Sequence, residues 1–111
     1  MADPDLLLDV AASGIVPASG IVAVRLGPTS TRVQWHVTNA SVQVSSNTLE
    51  PTANLYLNSK ATKLAGTYAG SNDSSPLDVW VRNGVIICEW TGADVGARAF
   101  LFLQGTMKIG V

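Results

Sequence analysis

Between Val33 and Thr38 apolar and polar residues alternate strictly, with Val33, Trp35 and Val37 set against Gln34, His36 and Thr38. Successive side chains of a strand point to opposite faces, so this pattern makes a strand with one buried face. A helix, whose apolar stripe recurs every three to four residues, cannot use it. Val42-Gln43-Val44 and Leu55-Tyr56-Leu57 repeat the pattern on a smaller scale. Residue choice agrees, because thirteen Val and nine Thr against three Lys and two Glu leave little from which to build long helices. Ser45-Ser46-Asn47 and Glu50-Pro51-Thr52 supply turns, Pro51 because it fixes φ and cannot donate to a ladder.

Leu77 to Arg82, then Asn83-Gly84, then Val85 to Trp90 reads as a hairpin. Asn-Gly is the preferred two-residue type I′ turn, since both of its positions need φ > 0. With Arg82 opposite Val85, the pairs Val81/Ile86, Val79/Cys88 and Leu77/Trp90 share a core face, and Trp80/Ile87 and Asp78/Glu89 share the other. Ala99 to Leu103 reads as a long strand after the Gly92-Ala93-Asp94-Val95-Gly96 turn, with Gly105 closing or bulging it. Gly20 to Leu26 reads as another strand. About seven to eight strands at this spacing predict an all-β fold, an antiparallel β-sandwich or jelly roll over residues 20–111. Residues 1–19 differ. Ala12-Ser13-Gly14-Ile15-Val16 recurs as Ala18-Ser19-Gly20-Ile21-Val22, and this segment is either a first strand or an extended arm that docks on a neighbouring subunit through Leu6, Leu7 and Leu8.

Composition removes several functions. Seven Lys and Arg against eight Asp and Glu give a net charge of -1, without the basic field that nucleic-acid binding needs. One Cys makes no internal disulfide, and one Cys with one His makes no ordinary zinc site, so no metal or cofactor is expected. The charged fraction is 14%, against about 25% in typical soluble domains. No apolar run approaches the roughly 18 residues of a membrane span. The apolar excess is therefore expected to be buried against other subunits. Met1-Ala2-Asp3-Pro4-Asp5 is acidic where an export signal is positive, which predicts a chain made in the cytoplasm and not exported.

Catalytic candidates are few. Cys88 and His36 are a formal nucleophile and base, but Cys88 falls on the core face with Trp90, while His36 points away from the Trp35 and Val37 side. Cys88 is expected to be a small core hydrophobe and the chain not to be an enzyme. Asp73, in Ser71-Asn72-Asp73-Ser74-Ser75, suits a cation or a self-capped turn, and the turn is favoured. The outer face of the expected hairpin is more telling. Trp80 and Ile87 form an apolar pair there, and Asp78 opposes Glu89, a repulsion that Arg82 or a basic group on a partner would relieve. A second layer of the same subunit, another protein chain or a sugar stacked on Trp80, with Trp35 or Tyr56, could cover this face.

Gly66-Thr67-Tyr68-Ala69-Gly70-Ser71-Asn72-Asp73-Ser74-Ser75, then Glu89 to Ala99, then Gly105-Thr106 resemble a group of small β-rich virion proteins of tailed bacteriophages, particularly those infecting actinobacteria. Val95 stands where such proteins often carry Pro. The resemblance spans residues 66–106 and is a pattern of turns and strands, without reactive groups. It implies a non-enzymatic virion component, either a capsid decoration protein or a minor tail protein. Its partners would be copies of itself, a trimer being favoured, and the major capsid or tail proteins. The candidate interface, read from the hairpin face and the N-terminal segment and not from the resemblance, comprises Trp80, Ile87, Asp78, Glu89, Arg82, Leu6, Leu7 and Leu8. A carbohydrate-binding module is the rival expectation.

Overall fold

The computed structural model describes residues 6–45, 48–64 and 66–110, and every regular element in them is a strand. In chain order these are β1 (Leu6–Ile15), β2 (Ile21–Leu26), β3 (Val33–Val44), β4 (Thr52–Leu57), β5 (Tyr68–Ala69), β6 (Asn72–Val81), β7 (Ile86–Thr91) and β8 (Arg98–Ile109). They form two four-stranded sheets, ordered β1-β8-β3-β6 and β2-β7-β4-β5, with every pairing antiparallel. The expected β-sandwich is the observed architecture.

Alternation explains the packing. Val37, Ala40, Val42, Leu101 and Leu103 of the first sheet and Leu55, Ile86, Cys88 and Trp90 of the second are fully buried and belong to one core. Gly14 of β1 lies directly over Val22 and Val24 of β2, so the two edge strands stack where the layers meet.

The longest strands, β3 and β8, are joined by a ladder with one irregularity. Trp35 and Val37 point inward, and so do Ala40, Val42 and Val44, which requires one extra residue between the two sets. A bulge at Thr38 provides it, where the register shifts between Val37 and Asn39. Gly105 faces this bulge, because a Cβ there would collide with the carbonyl oxygen of His36. The expected link between Gly105 and a bulge is present, but the extra residue sits on the opposite strand and β8 continues to Ile109.

One expectation fails. The Asn83-Gly84 hairpin does not form, since β6 pairs with β3 and β7 with β2 and β4. Asn83 has φ of 54°, yet Gly84 is not in the left-handed region, and a type I′ turn needs both. Val85 is instead held by Asn58, whose side-chain oxygen accepts from its N–H at 2.9 Å and whose N–H donates to its carbonyl at 2.8 Å. The chain thus crosses from one sheet to the other. Val81, Ile86, Cys88 and Trp90 still point into the core, but from facing sheets.

Of the two readings of the N-terminal segment, the first strand holds over the described residues. Leu6–Ile15 pairs with β8 without interruption, so β1 is a strand of the sandwich, and the expected boundary after residue 19 does not exist there. Residues 1–5 and the turn expected at Ser46-Asn47 lie outside the described residues.

Candidate functional site

Because directly opposed residues in an antiparallel ladder face the same side, the register names the outer surface of the first sheet. Trp80 of β6 is opposite His36 of β3, His36 is opposite Thr106 of β8, and Thr106 is opposite Leu7 of β1. One row of side chains therefore crosses all four strands. Its ends are its most exposed apolar groups, Trp80 at 51% and Leu7 at 78%.

At the β6 end, the His36 and Trp80 rings lie parallel, 4.0 Å apart with an interplanar angle of 2°. His36 Nε2 is 2.7 Å from Asp78 Oδ1, so the imidazole is fixed between an indole face and a carboxylate. Protonated His36 makes this contact an ion pair, and neutral His36 donates a hydrogen bond from Nε2. Asp78 is 83% exposed, which leaves its other oxygen available to a ligand. One indole face is covered by His36, and Trp80, on an edge strand, stays half exposed. The cluster can stack a flat or apolar group and hydrogen-bond beside it.

It cannot perform nucleophilic catalysis with Cys88. That thiol is fully buried in β7, on the other sheet, and burial pushes its pKa far above the ordinary range. Among the described residues no group of three or more metal-binding side chains exists.

The expected interface residues divide into three places. Trp80 and Asp78 lie on β6, and the exposed Arg82 follows directly after it. Ile87 and Glu89 face outward from the second sheet, on the opposite side of the sandwich. Ile87 is only 4% exposed, flanked in register by Arg25 and Tyr56, and Glu89 is ion-paired with Lys60. The expected Trp80/Ile87 and Asp78/Glu89 pairs therefore do not form, and Asp78 has His36 as its partner. Leu6, Leu7 and Leu8 lie on β1 at the other edge of the first sheet, and of these Leu8 is buried. His36 is the member that sequence reasoning left out. The alternation places it outward, but only the non-local β3–β6 pairing places it beside Trp80.

The Ser71–Ser75 segment behaves as a turn entering a strand. Asp73 Oδ2 accepts from the Ala69 N–H at 2.9 Å and its Oδ1 from the Ser74 N–H at 2.8 Å. A cavity of about 200 Å³ lies between Gly66–Tyr68 and Asp73–Ser75. Burial pushes the Tyr68 phenol up there, against a smaller lowering by the Ser75 hydroxyl. In the loop between β7 and β8, Asp94 accepts from the Thr48 N–H and hydroxyl at 2.7 and 2.9 Å and from the Leu49 N–H at 3.0 Å. Led by the Thr48 N–H, these bonds hold its carboxyl below the ordinary range.

No protein-family model matches the chain, and no curated protein matches it.

Proposed function

We propose that this protein is a non-catalytic structural component of a bacteriophage virion, in the manner of a capsid decoration protein that binds the assembled shell and stabilises it. The observation that carries the reading is the outer row of the first sheet, where Leu7 and Trp80 expose apolar surface at both ends of one register line. Exposed apolar groups held at two fixed points of a rigid sheet, with the polar His36 and Thr106 between them, suit a protein interface. The turn and strand pattern of residues 66–106 adds the virion context. Stabilisation would follow from mass action, since a protein that binds only the assembled lattice favours it over free subunits. A place in the tail would use the same surface.

Mass spectrometry of purified virions tests the proposal. The chain is expected in many copies per particle, and particles stripped of it are expected to lose thermal stability and regain it when the purified protein is added. A particle that lacks the chain overturns the reading. Trp80→Ala is expected to weaken particle binding at least about tenfold.

The exposed Trp80 ring and the exposed carboxylate of Asp78 favour one second reading, a carbohydrate platform. Quenching or shifting of tryptophan fluorescence by added glycans, abolished in Trp80→Ala, would select it.

A further inference from the structure

The edges of the two sheets are not equally protected. β5 has two residues, too short to template another strand. β2 has six and carries the exposed Arg25. β6 is long, but Pro76 removes a donor and Asp73 points a carboxylate inward. β1 is ten residues long and keeps an uninterrupted register with β8. It has no Pro and no Lys, and Asp9 is its only charged residue. Natural sheets rarely leave such an edge open.

We propose that β1 is a self-association edge, on which a second copy of this chain pairs β1 to β1, antiparallel across a two-fold axis at Ala11. The inference rests on the edge and not on the virion reading; it seats Leu7 in the dimer seam, so that Trp80 is the end of the outer row left to face a shell. It replaces the three-fold assembly that the resemblance implies.

The hydrogen-bonding phase permits the pairing. Val16 donates its N–H to Ala97 O and accepts from the Gly96 N–H, both at 2.9 Å, so its main-chain groups face the β8 side. By period two, those of Leu7, Asp9, Ala11, Ser13 and Ile15 face away from β8. An axis at Ala11 pairs these residues with one another. Leu7 then lies opposite Ile15 of the second copy, twice, and each covers the other's exposed apolar surface, 78% and 51% of the two residues. Alanine meets alanine at the axis, where the strands come together without steric conflict. Asp9 lies opposite Ser13 of the second copy, whose hydroxyl is bonded by Arg98 Nη1 at 3.3 Å, so each carboxylate approaches a guanidinium. An axis at Asp9 would instead oppose like charges and leave Ile15 uncovered.

Sedimentation equilibrium on the full chain provides the test. The expected particle has twice the 11.6 kDa chain mass. Ala11→Pro removes an N–H that points off the sheet and is expected to give a folded monomer. Asp9→Arg and Arg98→Asp are each expected to weaken the dimer about tenfold, since the contact occurs twice, and the double variant to restore it. The charge-swap pair keeps the test decisive if Ala11→Pro fails to fold. A monomer at every concentration, a trimer, or a dimer indifferent to Asp9 and Arg98 overturns the proposal, and none of these results bears on whether the chain is found in virions.

Discussion

Trp90 and Trp80 stand on successive strands and meet opposite fates. Trp90 lies on β7, an interior strand of the second sheet, between Val22 and Ala53 in register, and is fully buried. Its indole N–H donates to the Gly70 carbonyl at 3.0 Å, which satisfies the one polar atom it takes into the core. Trp80 lies on β6, an edge strand, faces outward, and has a single ring partner in His36. Face and strand order, rather than residue type, decide which tryptophan holds the fold and which is left for another molecule.

The comparison breaks most directly at Trp90. Trp90→Ala is expected to cost about 3 to 5 kcal/mol of folding stability, read by urea denaturation, because it empties core volume and orphans the Gly70 carbonyl. Gly105→Ala sharpens the contrast from the other side. A methyl group there meets the His36 carbonyl at the bulge that sets which face His36 presents, and a loss of about 2 to 3 kcal/mol is expected from thermal unfolding. Trp80→Ala is expected to cost about 1 kcal/mol or less, the worth of one exposed ring stack. Equal losses for Trp80→Ala and Trp90→Ala would sink the face assignment.

The smallest effect is expected from Asp94, in the loop that follows Trp90. Its carboxyl is lowered from the ordinary 3.8 in the folded protein, so its contribution is fully present above that value and is lost as pH falls through the folded pKa. The urea midpoints of wild type and Asp94→Asn should differ slightly near neutrality and converge in acid. A gap that persists in acid would show that Asp94 acts through something other than its charge.

Much of the fold was legible in local sequence, but of the site only Trp80 and Asp78 were, and not their partner His36, for one physical reason. Alternation reports which face a residue takes, and it places Trp35, Val37, Cys88 and Trp90 inward and His36 and Trp80 outward. It does not report the neighbouring strand. Asn83-Gly84 illustrates the gap, because a hairpin within one sheet and a crossover between two sheets bury the same alternate residues. The choice was made by Asn58, distant in sequence, which holds Val85 to the second sheet. The pairs drawn from the hairpin therefore dissolved, and His36 entered the cluster through β3–β6 pairing, to which no local pattern points. The bulge at Thr38 is a partial exception. Its trace is the change of parity from Val37 to Ala40, visible in the sequence once β3 is known to be continuous.

The position of β8 also governs how the chain reaches this structure. It lies between β1 and β3, which do not pair with each other, and it is the last of the described strands. Until it inserts, the first sheet lacks an interior member and the inner rows of both neighbours stay open to water. Closing that gap joins the two ends of the described chain, so folding is dominated by non-local pairing and is expected on the millisecond-to-second scale. An interruption late in synthesis would leave two ladders unformed at once and apolar strand edges exposed, the condition that favours aggregation over folding.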